Sequence, residues 1–419
     1  MEKNKMTTST FDLPYGDEIR SLHLPVHSAI LRTQEQKALI TPALFQTRLR
    51  HALAANPLDL SRPVLVVADK TRLCGYAEYL PVLIGELQAH GMAPGVLRVI
   101  VAYGTHARQS DEECRQAYGQ LYDELTFIHH DCREPDIFTE QGKTTRNTPI
   151  RHRRDLAAAS AIITMGAVSH HYFAGYGGGR KLIFPGCGER QAIYTNHALF
   201  LDRAAGHIAS GCQPGRLDGN PLAEDLFEIE ETLPAHLAIH GILDDQGRLC
   251  DLLAGRGREL FTQACAIHGK ACEISSPQFD LVVASCGGFP KDINFIQSHK
   301  AVHNAAMFVR DGGLLLLYAR CRDGVGSTTF LPWFEMGGFA AAFSHLAGHY
   351  EGNGGTALAM MTKTQRIRIG LVTGLDDTIC RLIGVETWDH RQVAAHLQGL
   401  GDTTSVACIT NASLLVRNS

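Results

Sequence analysis

The chain has 419 residues, 45% of them hydrophobic and 20% charged, with a net charge of −4. That length exceeds one ordinary core and points to two domains, and the composition excludes a disordered chain. No basic run is sustained and no apolar stretch approaches the roughly 18–20 residues that span a bilayer, so nucleic-acid and membrane roles are excluded.

The opening MEKNKMTTSTFDLPYG is polar and lacks the apolar core of a signal peptide. Twelve cysteines are scattered without a CxxC pair, so they read as reduced, buried small residues of a cytoplasmic protein. Residues 62–69 (RPVLVVAD) form a short apolar run closed by a polar tip, the pattern of a buried strand. Residues 96–104, 125–131 and 161–168 repeat it. Between the first two, residues 76–91 carry Tyr79, Leu80, Leu83, Ile84 and Leu87 at helical spacing. Strands alternating with helices imply a mostly parallel sheet covered on both faces.

A second, smaller α/β pattern begins near Pro277. Its expected strands are 279–285, 314–319, 366–373 and 405–410, with a helix over 295–310. The stretch 206–269 is mixed and marks no clear boundary. The expected fold is therefore α/β with a larger N-terminal domain over 1–275, a smaller C-terminal one over 276–419, and an active site in the cleft between them.

In open sheets of this kind, ligands gather beyond the carboxyl ends of the strands. Here those ends carry Asp69-Lys70-Thr71-Arg72, Gly104-Thr105-His106 and Ser169-His170-His171. Arg72 can fork onto a carboxylate or phosphate, with Asp69 holding it in place. The segment from His171 to His197 reads HYFAGYGGGRKLIFPGCGERQAIYTNH. Gly177, Gly178 and Gly179 are open to reading as a turn or as an anion cradle, although neither GxxxxGK[ST] nor GxGxxG is present. Lys181 is open to three readings: a solvated lysine, an anion partner, or a point of covalent attachment. A lone histidine is more often structural than functional, but His106 and His171 both follow strands at the sheet edge. His170 is the local decoy, and His129, His130 and His152 read as structural. Gln297 and Lys300 share one face of the expected second-domain helix.

Five segments, in this order, resemble the nickel-pincer lactate racemases and related 2-hydroxyacid racemases and epimerases. They are DKTR (Asp69 to Arg72), GTH (Gly104 to His106), HYFAGYGGGRK (His171 to Lys181), NH (Asn196-His197) and NFIQSHK (Asn294 to Lys300). The resemblance covers most of the chain, and the spacing of His171, Lys181 and His197 is its most specific feature. It implies an isomerase whose cofactor is nickel held by pyridinium-3,5-bisthiocarboxylic acid mononucleotide, attached covalently to Lys181, with His197 as the protein's nickel ligand. It further implies His106 and His171 as the acid–base residues, and Arg72, Gln297 and Lys300 as substrate-binding residues. Asp69, Thr71, Gly177, Gly178, Gly179 and Pro185 would line the cofactor.

The chemistry implied is removal of the hydroxyl proton by a histidine while the α-hydrogen leaves as hydride, giving a planar 2-oxoacid. Return of hydride to the other face inverts the centre. Two departures bear on the substrate: Ile296 stands where lactate racemases carry an aromatic residue, and Gly177 where serine is frequent. Lactate is therefore one of several short hydroxyacids expected to fit. The partners implied are that substrate and the enzymes that make the cofactor; the sequence does not fix an oligomeric state. Two alternatives remain open at this point, a zinc hydrolase using His106, His171 and His197 and a non-catalytic carrier of the nickel cofactor.

Overall fold

The computed structural model describes residues 9–34 and 38–418. They form two compact α/β units that the chain enters more than once. One comprises the described residues of 35–200 with 209–271, and the other those of 1–34, 201–208 and 272–419.

The first of these is built on a six-stranded sheet. Its strands, edge to edge, are Leu249–Gly255, Leu237–Leu243, Ala161–Ala167, Pro63–Ala68, Arg98–Ala102 and Thr126–His129. Only the pair at the Leu249–Gly255 edge is antiparallel. The apolar run of Pro63–Ala68 has a simple cause: all six residues are buried, as in any strand covered on both faces. Helices Pro42–Ala55 and Tyr76–Ala89 supply part of that cover through Phe45, Leu49, Leu80 and Leu83. The carboxyl end of the central strand is fixed by two tyrosines. Ala68 N donates to Tyr76 Oη (2.8 Å), and Ala68 O accepts from Tyr118 Oη (2.9 Å). Both backbone groups just before Asp69 are thus satisfied by side chains, which sets where the polar tip begins.

The second unit carries a wholly parallel sheet in the order Glu386–Trp388, Arg368–Val372, Val309–Tyr318, Phe279–Ser285, Val406–Ile409 and Ala29–Leu31. The expected α/β class and parallel sheets are present. The chain division is richer than a single break near 275, which lies close to the crossing at Cys272. Ala29 pairs with Ala407, so the N-terminal residues complete the C-terminal sheet. A three-residue strand has too few positions to show a period. The hairpin Ser9–Tyr15/Glu18–Leu24 packs Phe11, Leu13, Leu22 and Leu24 against Leu281, Val283 and Tyr318 of the same unit.

The mixed stretch resolves into helix Pro221–Thr232, the two edge strands of the first sheet and helix Gly257–Cys272. The helix expected over 295–310 ends at Ala306, because Val309 already pairs with Phe279. All twelve cysteines are buried free thiols. No described helix is long and apolar enough to cross a membrane.

Leu316 lies fully buried in the middle of the second sheet. Leu316→Ala is expected to destabilise that unit by about 2–5 kcal/mol through lost burial and a residual cavity. Denaturant unfolding measures this, and a loss below about 1 kcal/mol would mean that the strand is not the core element described.

Candidate active site

Asp69 caps the short turn Lys70–Arg72 and is 3% exposed. One carboxylate oxygen, Oδ1, accepts from Thr71 N (2.8 Å) and Thr71 Oγ1 (2.6 Å). The other, Oδ2, meets His106 Nδ1 at 2.6 Å and lies 3.9 Å from Arg72 Nη1. Burial pushes the Asp69 carboxyl up, but the His106 hydrogen bond, the Arg72 charge and the Thr71 hydroxyl outweigh it. The group is therefore held below the usual carboxylate range. Asp69 and Thr71 were expected beside a cofactor. In the structure their polar atoms bind each other and the His106 ring.

His106 arrives on the turn that ends strand Arg98–Ala102. Gly104 sits at φ +57° and donates its N–H to Gly186 O (2.8 Å), while His106 N bonds Tyr103 O (2.9 Å). The Gly104–His106 turn is thus tied to the Pro185-Gly186 turn, whose Phe184–Pro185 bond is cis. His130 closes the far side of that turn through Nε2 to Gly188 O (3.0 Å), the structural role expected of it.

Strand Ala161–Ala167 leads into a small hairpin, Ser169–His171 against Gly175–Gly177. Adjacent strand residues face opposite sides. His170 stacks with Tyr176 and His268, at centroid distances of 5.0 and 4.8 Å, so His171 presents the other face. His171 Nδ1 accepts from the backbone N–H of Phe173 (3.3 Å) and of Ala174 (3.0 Å).

The glycine run explains itself through protein contacts. A Cβ on Gly178 (φ +78°) would stand 2.3 Å from Ala167 O, and one on Gly179 (φ +53°) 2.4 Å from the Phe261 ring. Gly177 is ordinary by comparison, with Ser169 Oγ at 3.4 Å. The tight turn carries two basic residues in succession. Arg180 is buried against the rings of Phe227 and Phe261, 4.1 and 4.7 Å from their centroids. The Lys181 side-chain amine has no hydrogen-bond or ion-pair partner among the described residues, while its backbone is held by Gly178 O and Gly186 N. Burial, then the Arg72 and Arg180 charges, push its amine well below the usual lysine value.

His197 ends helix Arg190–His197, whose N-terminus is capped by Glu189. Its preceding residue, Asn196, is fully buried and donates to Asp225 Oδ2 (2.8 Å), a link that fixes the helix end. Burial first, then the Lys181 and His106 charges, push the His197 imidazole down to about 3, against a weaker raising effect from the Ile193 carbonyl. His197, Lys181, His106 and Arg72 are therefore electrostatic neighbours in one unit. Gln297 and Lys300 belong to the other unit, on helix Phe295–Ala306, where Lys300 Nζ donates to Gln297 Oε1 (2.9 Å). Their shared helix face is as expected. Among the described residues no three His, Cys, Asp or Glu side chains are grouped to hold a metal.

Residues 9–208 match the lactate racemase N-terminal domain, and residues 274–344 the lactate racemase C-terminal domain. The chain belongs to the lactate racemase family. The lactate racemase of Thermoanaerobacterium thermosaccharolyticum is 25% identical over 339 residues, 78% of either chain. That of Lactiplantibacillus plantarum is 24% identical over 332 residues, 78% of this chain and 76% of its own. The fold is shared with the T. thermosaccharolyticum lactate racemase apoprotein at a TM-score of 0.86 and 20% identity, covering 98% of this chain and all of that one. A crystallised protein from Thermotoga maritima follows the fold at 0.68, with 16% identity over 92% and 99% of the two chains. Membership makes this lactate racemase relative an isomerase, which removes both the hydrolase and the carrier alternatives.

The buried histidines His130, His152 and His240 are each pushed down to about 4, chiefly by burial. Unfolding restores values near 6.5, so the unfolded chain binds their protons first. Stability is then full above about pH 6.5 and falls as pH drops toward 4, at up to about 1.4 kcal/mol per pH unit for each histidine. Thermal unfolding followed from pH 8 to pH 4 checks this; a flat profile between 6.5 and 4.5 would contradict it.

Proposed function

We propose that this enzyme racemises or epimerises a short 2-hydroxyacid, lactate being the substrate named in its relatives, with a nickel-pincer nucleotide tethered to Lys181. The observation that supports this most is the Lys181 amine, which has no side-chain acceptor among the described residues and is pushed well below the usual lysine value, toward the nucleophilic form. Beside it, the imidazole of His197 is neutral and able to donate a lone pair. An amine suited to acylation and a single imidazole suit a nickel centre whose other donors come from sulfur and carbon of the cofactor. When bound, that group supplies the acceptor for the α-hydrogen as hydride.

The chain's own residues do the rest. Arg72 pairs with the substrate carboxylate, and Gln297 and Lys300 complete substrate binding. His106 takes the hydroxyl proton at Nε2, since its Nδ1 is directed to Asp69. His171 is the second histidine at the substrate oxygen. Gly177, Gly178, Gly179 and Pro185 shape the turns that present Lys181 and His106. The protein acts in the cytoplasm, after maturation enzymes have supplied the cofactor.

Protein matured with those enzymes is incubated with single enantiomers of lactate and of larger aliphatic, aromatic and dicarboxylic hydroxyacids, and the products are separated by chiral chromatography. At least one acid should pass to its mirror image or epimer. His106→Gln should slow that conversion by roughly 10²–10⁴-fold, and Arg72→Ala should raise KM. No conversion of any acid by nickel-loaded protein would overturn the proposal.

A further inference from the structure

The two histidines at the strand ends are held by opposite kinds of partner. At His106 Nδ1 the near group is a carboxylate oxygen of Asp69, an acceptor, at 2.6 Å. Arg72 Nη1 also faces that nitrogen, but at 3.5 Å, too far to compete. A carboxylate can only accept, so Nδ1 carries the hydrogen, and in the neutral ring Nε2 is the nitrogen that presents a lone pair. At His171 Nδ1 the near groups are two donors, the N–H of Phe173 and of Ala174 at 3.3 and 3.0 Å. Backbone amides can only donate, so Nδ1 is the acceptor and the ring hydrogen sits on Nε2. The first histidine is set as a base; the second is set as a neutral donor.

We infer that the resting enzyme is poised for one enantiomer, through the opposed tautomers that Asp69 imposes on His106 and the Phe173 and Ala174 amides impose on His171. The inference rests on the racemase reading above and assigns unequal roles within it. For the enantiomer whose hydroxyl meets His106, the O–H bond breaks and its proton passes to Nε2. The C–H bond breaks with its electron pair going to the hydride acceptor already named, and the C–O bond becomes a carbonyl. For the opposite enantiomer the hydroxyl meets N–H at His171. Its proton cannot be taken there until the ring gives up both amide bonds and moves its hydrogen to Nδ1.

A racemase has an equilibrium constant of one, so kcat/KM is equal in the two directions. The asymmetry therefore shows in single-turnover formation of the 2-oxoacid. Two amide hydrogen bonds are enough to separate the rates by about tenfold or more, the equivalent of about 1.4 kcal/mol in the barrier.

Two measurements test this. The first is two-bond proton–nitrogen NMR on the folded full-length chain with labelled histidine, the signals assigned with His106→Gln and His171→Gln. The expected result is Nδ1–H at His106 and neutral Nε2–H at His171. Asp69→Asn, which replaces the acceptor with an amide of the same shape, should move the His106 hydrogen to Nε2. The same tautomer at both histidines, or the reverse assignment, would overturn the inference whether or not the cofactor is present. The second is acid-quenched single turnover of the nickel-loaded enzyme with each enantiomer of whichever acid it converts. A rate ratio of about ten or more is expected, and a smaller one overturns the inference. If no acid is converted, the racemase reading falls, while the NMR result still decides the tautomers.

Discussion

Lys181 reaches the site with no side-chain acceptor among the described residues, and desolvation together with the Arg72 and Arg180 charges pushes its amine well below the usual lysine value. Much of the surrounding structure follows from that constraint. The amine is delivered by a turn so tight that Gly178 and Gly179 leave no room for a side chain. Its cationic neighbour Arg180 lies over two aromatic rings. Arg72, the other nearby cation, sits beside the Asp69 carboxylate. Positive charge around Lys181 is thus kept close to a carboxylate or an aromatic face.

The same economy of partners governs the imidazoles. His197 stays neutral because it is buried beside other groups that can bear positive charge, and its helix is pinned from below by the Asn196–Asp225 pair. His106 and His171 lie exposed enough to meet a substrate, yet each has one ring nitrogen occupied by a fixed partner. An orienting bond on one nitrogen decides what the other can do. Here those bonds differ in sign: the partner at His106 Nδ1 is an acceptor, and those at His171 Nδ1 are donors.

Much of this was legible in the sequence, for reasons that can be named. The strands at Pro63–Ala68 and Ala161–Ala167 are buried on both faces and so appear as unbroken apolar runs, and their polar tips mark the site. His170 and His171 were expected to face different ways, and they lie on opposite faces of the short strand Ser169–His171. The N-terminal strand Ala29–Leu31 was not legible, since its place is set by a partner nearly four hundred residues away. Nor were the contacts that tune the site. Asp69 was expected to hold Arg72, but its hydrogen bonds go to Thr71 and His106, with Arg72 3.9 Å away; the amides of Phe173 and Ala174 carry no side-chain signal at all. The glycine run read as a turn or an anion cradle, and the reason Gly178 and Gly179 carry no side chain, the closeness of Ala167 and Phe261, was not visible in it. A sequence shows which groups are available, and only the fold shows which atoms of those groups are already engaged.

The central claim is that the amine of Lys181 is the point at which the cofactor is attached. Tandem mass spectrometry of protein isolated from a host that makes the cofactor, with nickel counted on the same sample, tests it directly. The account predicts a covalent adduct confined to Lys181 and about one nickel per chain, as one lysine and one imidazole ligand require. Unmodified Lys181 in protein from a verified maturation host, or an adduct on another residue, would contradict it.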